Sequence, residues 1–166
     1  MDVLADSDPR WGEFKDGFGH LYNPLPVLKA LSEAPYDEGS WRDFWRHLYH
    51  QGDVGSASYV VVVALFELRR RRVMFDWNFY ALLASVEVDR CKGADTALPD
   101  WLRRDYSHMW TVITAFCVED MAREPKPNVL RGYLAVLALA QGNVDLGHLL
   151  IAMDEGDMRA WLADNI

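Results

Sequence analysis

Apolar residues recur at helical spacing along most of the chain. In residues 24–34, 41–49 and 77–91 they fall at three- and four-residue steps, as on one face of an α-helix. Residues 59–68 are apolar on nearly every side, which predicts a helix buried between neighbours. The valines in this segment also suit a strand, but it is longer than a typical strand and runs on into arginines. The pattern therefore predicts about eight helices and no strand.

Two matching turns divide these helices. Gln51-Gly52-Asp53-Val54 is matched by Gln141-Gly142-Asn143-Val144, and each turn separates two apolar helices. Both glycines are expected in left-handed or other glycine-favoured conformations. The offset of 90 residues is about two units of the ~40–47-residue period of two-helix repeats. We therefore predict an all-α fold, a short α-solenoid of stacked helical hairpins, in one domain over residues 1–166. Residues 1–23 are expected to form an irregular, aromatic-rich cap.

Residues 40–68 carry a more specific pattern. A helix rich in tryptophan and leucine leads into His50-Gln51-Gly52, and a helix of small and apolar residues follows from Ala57-Ser58-Tyr59. This arrangement resembles bacterial HEAT-like repeat proteins, some of which are encoded beside secreted toxins and look like their immunity proteins. The resemblance implies an α-α superhelix that binds a protein partner, such as a cognate toxin, without catalysis. An adaptor subunit of a larger assembly stays open as an alternative.

Composition and charge narrow the class of partner. Of the 166 residues, 51% are apolar and 13% aromatic, which indicates a folded core. The net charge of −8 argues against a general nucleic-acid binder. The chain has no basic, apolar leader and no apolar run long enough to cross a bilayer, so we expect a cytoplasmic protein without membrane contact. Cys91 and Cys117 are expected to be reduced thiols.

The acidic excess lies in the first 39 and the last 24 residues, which predicts a basic protein partner. The acids nearest the turns and the termini form the predicted partner-binding set: Asp37, Glu38, Asp53, Asp145, Asp154, Glu155 and Asp157.

Catalytic chemistry has weaker support. His47 and His50 lie three residues apart with Asp53 beyond them, so a small metal-dependent enzyme is the alternative function. Asp145 and His148 form a second, weaker pair. No nucleophile elbow, phosphate-binding loop or dinucleotide fingerprint is present, and we predict no cofactor.

Other charged and aromatic residues have structural interpretations. The arginines at 69–72 are expected to complement the negative end of their helix. Glu119 and Asp120 are expected to be solvated. Most tryptophans fall on helical stripes and predict core, with Trp101 as the candidate exposed anchor.

Overall fold

The computed structural model describes residues 4–50, 52–71, 76–123 and 127–165, and within these ranges the chain forms eight α-helices. The helices are α1 (Leu25–Glu33), α2 (Glu38–Leu48), α3 (Ser56–Arg70), α4 (Trp77–Lys92), α5 (Arg103–Arg123), α6 (Pro127–Ala140), α7 (Val144–Ala152) and α8 (Glu155–Asn165). Short 3₁₀ turns cover Pro9–Gly12 and Asp100–Leu102. These described ranges contain no strand, only two isolated β-bridges. The predicted all-α class is confirmed.

Short polar side chains cap the start of several helices. Asp37 accepts a hydrogen bond from the Ser40 amide at 2.7 Å and caps α2. The helix therefore starts at Glu38, directly after this cap. Asn143 caps α7 in the same way, through the Leu146 amide at 3.1 Å. Each such bond satisfies an amide that the helix leaves without a partner.

Glycines occupy the expected turn conformations. Gly52 has φ 96° and Gly142 has φ 77°, so both are left-handed as predicted. Gly93, which ends α4, is also left-handed, with φ 89°.

The helices pack as hairpins in two rows. The pairs α1–α2, α3–α4 and α5–α6 are in contact, and α1, α3 and α5 follow one another in one row. In the second row α4 packs on α6, and the Trp45 indole of α2 donates to Asn78 of α4 at 2.7 Å. Helix α7 closes this row against α6 and α4. The arrangement is that of a short helical repeat.

The helices pair differently from the prediction: the two helices on either side of Gly52 belong to different hairpins. The sequence predicts stacked helical hairpins and a turn at Gly52 between two helices, but these two helices do not form one hairpin. Instead α2 pairs with α1 and α3 with α4, and α2 and α3 have little contact beyond the turn that joins them. Gly52 thus connects two successive hairpins.

Helix α3 lies at the centre of the core. Residues 59–63 are each at most 1% exposed, because α1, α4 and α5 surround the helix. This position explains its apolar character on all sides. The buried residues belong to one connected hydrophobic cluster.

A buried ion pair joins α3 and α5, two neighbouring helices of the first row, near the end of α3. Arg69 is 2% exposed and donates from Nε to Asp120 Oδ2 at 2.9 Å, and from Nη2 to Asp120 Oδ1. The hydroxyl of Tyr80 on α4 donates to the same carboxylate. Two expectations are corrected here. Arg69 lies in the last turn of α3 but pairs with a buried carboxylate instead of the end of its helix, and Asp120 is not solvated. Both side chains are in the core because each satisfies the other there. Arg72 lies outside the described residues.

Candidate functional site

Two polar cavities lie side by side where the helix turns meet. The first, of about 410 Å³, lies between the turn after α2, the end of α4 and α7. It is lined by Tyr49, Gly52, Asp53, Asp89, Lys92, Gly93, Ala94, Asp95 and His148. The second, of about 510 Å³, adjoins residues 15–19 and shares Asp53 and Asp95 with the first. We call the two cavities, with the carboxylates of Asp53, Asp89 and Asp95, the acidic basin.

Backbone geometry at two turns shapes the basin. His50 and Asp53 exchange amide-to-carbonyl hydrogen bonds of 3.1 and 2.8 Å, which closes the turn around left-handed Gly52. At the end of α4, the Ala94 amide donates to the Asp89 carbonyl at 3.0 Å, next to left-handed Gly93. Such bonds satisfy the last carbonyls of a helix. Both turns hold their acidic residues in fixed positions.

Asp89 differs from the other acids of the basin because it is buried. It is 7% exposed, and its Oδ2 atom is buried without a hydrogen-bond partner among the described residues. Burial raises the pKa of Asp89 to about 6, an effect that the charge of Lys92 opposes and that of Asp53 reinforces. The side chain is therefore mostly ionised at neutral pH, in a place where a carboxylate ordinarily needs donors.

The nearest cation is engaged elsewhere. Lys92 Nζ lies 2.7 Å from Nδ1 of His148, so the lysine donates to the imidazole of α7. Both side chains are exposed. No ion pair forms at Asp53, Asp89 or Asp95 within the described part of the chain. Lys92 therefore acts on the negative charge of the basin only by long-range electrostatic attraction, without direct contact.

A loop from the N-terminal segment covers one side of this region. The Ala57 amide donates to the Lys15 carbonyl at 3.0 Å, and the Gly17 amide donates to the His47 carbonyl at 2.7 Å. Gly55 permits this approach, since a Cβ there would lie 2.1 Å from the Lys15 carbonyl oxygen. Trp11 and Phe14 of the same segment are buried. The N-terminal residues therefore form one wall of the basin.

The predicted histidine pair does not converge. The His47 ring stacks on Tyr22 with centroids 4.4 Å apart, and its Nδ1 atom lies 3.2 Å from the buried carboxylate of Asp16. The His50 ring instead lies 4.1 Å from the ring of Phe18. In the part of the chain that the structure describes, no group of three or more His, Cys, Asp or Glu residues is arranged to hold a metal ion. The arrangement gives no support to the metal-enzyme alternative.

Asp16 explains how His47 is fixed. Burial raises the pKa of Asp16, but the hydrogen bond with His47 and those from the amides of His20 and Phe18 lower it by more. The pKa of Asp16 is therefore below its ordinary value. The anchored imidazole ties the loop to α2. Its observed contacts are those of a structural residue.

Of the predicted partner-binding acids, one lines the basin. That residue is Asp53, which is exposed and borders both cavities. Asp37 and Glu38 lie at the start of α2, and Asp145 lies in the first turn of α7. Asp154 and Asp157 each accept a bond from the other's amide, at 2.8 and 3.1 Å. The side chain of Glu155 lies outside the described residues.

Sequence reasoning missed Asp89 and Asp95. Asp89 lies in the last turn of α4, where the helix dipole disfavours a negative charge. An acid in the last turn of a helix is the signal that could have found it. Asp95 carries no comparable signal, because acids are common in turns.

Trp101 is 40% exposed, and the guanidinium of Arg10 covers its ring at 4.6 Å. The candidate anchor is therefore already in contact with the N-terminal segment.

No family model matches the chain, and neither a curated protein nor a solved structure matches it. The resemblance to HEAT-like repeat proteins therefore stays a prediction. Among the described helices, none is both long and apolar enough to cross a membrane.

Proposed function

We propose that this protein is a non-catalytic binding module that docks a basic protein partner on the acidic basin. The observation that carries the proposal is the set of three carboxylates without donors. Among the described residues, the side chains of Asp53, Asp89 and Asp95 form no hydrogen bond or ion pair beyond their own turns. A partner with lysine or arginine side chains supplies a donor to buried Asp89 and positive charge opposite Asp53 and Asp95, which are exposed to solvent.

The charge of the whole chain supports the same class of partner. A net charge of −8 attracts a basic surface at long range and raises the rate of encounter. Helical-repeat proteins commonly bind partners along an extended surface formed by successive repeats. The acidic basin, at the turns between hairpins, would form the negatively charged end of such a surface.

In its specific form, the proposal is that the partner is a toxin encoded beside this chain, and that the complex forms in the cytoplasm. The support for this form is the resemblance of residues 40–68 to toxin-associated HEAT-like repeat proteins. An immunity protein abolishes the toxin's activity on binding, whereas an adaptor subunit binds without that effect.

The test is the dissociation constant for the product of the neighbouring gene, measured by calorimetry alongside an assay of its activity. Reversing two basin acids, Asp53→Lys with Asp95→Lys, should weaken binding by about tenfold or more. The matched control reverses two exposed acids outside the basin, Asp100→Lys with Asp164→Lys, for the same change in net charge. Equal losses in both variants would remove the basin from the interface. Tight binding with unaltered toxin activity would remove the immunity role.

A further inference from the structure

Buried carboxylates in this fold normally have donors. Asp16 accepts from two backbone amides and lies within hydrogen-bonding distance of His47. Glu87 accepts from Tyr106 at 2.8 Å and from Arg90 at 2.7 Å, and Asp120 accepts from Arg69 and Tyr80. Asp89 is the exception among the described residues, because its buried Oδ2 atom has no partner. The exception lies on the wall of an open cavity.

The surroundings of Asp89 select a positively charged ligand. Asp53 and Asp95 line the same cavity, so its carboxylates outnumber its one lysine, Lys92. An ionised carboxylate only accepts hydrogen bonds, and its strongest partners are ammonium and guanidinium groups. Tyr49 also lines the cavity, and an aromatic side chain at such a site can add a cation–π contact.

The size and spacing of the cavity favour an organic cation. Its volume of about 410 Å³ is within the range of small-ligand sites, about 300–1,000 Å³. The acids around it do not come together as a three-ligand metal group in the described structure. An extended group with several N–H donors can reach carboxylates that stand apart from one another.

We infer that the Asp89 cavity is a subsite for one alkyl-ammonium or guanidinium group, presented by a lysine or arginine side chain of the partner or by a free organic cation. Asp89 accepts the buried N–H donors, Asp53 and Asp95 surround the remaining charge, and Tyr49 can add a cation–π contact. The inference deepens the proposed function and rests on it for the identity of the partner as basic. The cation site itself is tested without that partner.

The experiment is a titration of the isotopically labelled full chain, followed by NMR shifts of backbone amides. The probe is acetyl-Gly-Arg-Gly-amide, and the matched negative probe replaces arginine by citrulline, which has nearly the same shape and no charge. Spermidine forms a third arm, because stronger binding of spermidine than of the peptide assigns the site to free cations. We expect saturable shifts centred on residues 49–53 and 89–95 with the arginine peptide and none with citrulline.

Two variants locate the effect. Asp89→Asn should weaken peptide binding by about tenfold or more, because it removes the buried charge and keeps the shape. Asp145→Asn, an exposed acid outside the cavity, should leave it unchanged. The inference is overturned if no localised shifts occur up to millimolar peptide, if citrulline binds equally, or if Asp89→Asn binds as tightly as the unmodified chain. A peptide that binds here while no basic protein partner is found would instead overturn the proposed function and leave the cation site intact.

Discussion

At the scale of single residues, Asp89 makes the stability of the protein depend on pH. Its pKa is raised from 3.8 to about 6 by burial, with Lys92 opposing and Asp53 reinforcing the shift. The folded state therefore holds this proton more tightly than the unfolded chain does. Stability is highest below about pH 4 for this group alone and falls as the pH rises through about 6. A pKa shift of this size corresponds to a loss of about 3 kcal/mol in the free energy of unfolding at neutral pH.

The first prediction is that Asp89→Asn raises the free energy of unfolding by about 1–3 kcal/mol at pH 7.5. The amide keeps the shape and removes the buried charge, so the gain should vanish at pH 4, where the carboxyl is protonated. Denaturant unfolding at the two pH values checks this, with Asp95→Asn, an exposed acid of the same basin, as the control. A loss of stability at pH 7.5 would show that Asp89 has a stabilising partner in solution.

The second prediction concerns the ion pair between Arg69 and Asp120. Asp120→Ala should lower the free energy of unfolding by about 3–5 kcal/mol, because it leaves a buried guanidinium and the Tyr80 hydroxyl without an acceptor. Replacing both charges, as Arg69→Met with Asp120→Leu, should recover most of that loss. Glu119→Ala, next to it and half exposed, should change stability by less than about 1 kcal/mol. Equal losses for Asp120→Ala and the double variant would contradict this account of the pair.

The sequence could not distinguish these two acids. Asp89 and Asp120 each lie on a helix next to another charged residue, Arg90 and Glu119 respectively. They differ because Asp120 has a cationic partner, Arg69, and Asp89 has none among the described residues. Arg69 is 51 positions from Asp120 in the chain and reaches it because α3 packs on α5. Partners at such a distance depend on the packing, which local pattern does not fix.

At the scale of elements, the turns were predictable from local chemistry and the pairing of helices was not. Gly52 and Gly142 take the same left-handed conformation because each follows an apolar helix and needs a residue without Cβ strain. Yet α6 and α7 pack tightly on either side of Gly142, whereas α2 and α3 barely touch. The N-terminal segment lies beside the turn between α2 and α3, where residues 15 and 16 contact Gly55, just before α3.

The third prediction tests the contact of residues 15 and 16 with Gly55. In Gly55→Ala the new Cβ would lie 2.1 and 2.2 Å from the carbonyl oxygens of Lys15 and Asp16, so the loop must move. We expect a loss of about 1–3 kcal/mol in the free energy of unfolding. Hydrogen exchange should also become faster at the amides of Ala57 and Gly17, which bond across this contact.

The control for Gly55→Ala is Gly142→Ala, which acts through backbone strain alone because no atom lies near its Cβ position. It should cost about 1 kcal/mol and leave exchange at the two amides unchanged. Unaltered exchange in Gly55→Ala would mean that the loop is not held by this contact.

At the scale of the whole molecule, helical periodicity was enough to predict the all-α class, because eight apolar stripes need mutual burial. The location of the candidate site was only partly predictable. Charge totals pointed to the acidic ends of the chain, but the basin forms where residues near 53, 89 and 95 meet. Asp53 was predicted because it lies in a recognisable turn, and its neighbours in space come from another helix.

The fourth prediction separates the basin from the acidic C-terminal end. Reversing Asp53 and Asp95 to lysine should slow association with the basic partner and flatten its dependence on salt, since close charges contribute most to steering. Reversing Asp145, Asp154, Glu155 and Asp157 together changes the net charge more. If it nevertheless slows association less, the basin is the docking surface. The association rate is measured by stopped flow over a salt series, and a larger effect from the C-terminal set would move the interface to α7 and α8.

An NMR pH titration of the Asp89 side-chain carboxyl carbon, in the free protein and with saturating arginine peptide, tests whether Asp89 is a buried carboxylate that binds a cation. We expect a pKa of about 6 for Asp89 in the free protein and a lower pKa in Asp53→Asn, where a neighbouring negative charge is removed. Bound peptide should lower the pKa by about one unit or more, because a cation favours the ionised form. A pKa near the ordinary 3.8 that neither the peptide nor Asp53→Asn alters would contradict the claim that Asp89 is a buried carboxylate in need of a cation.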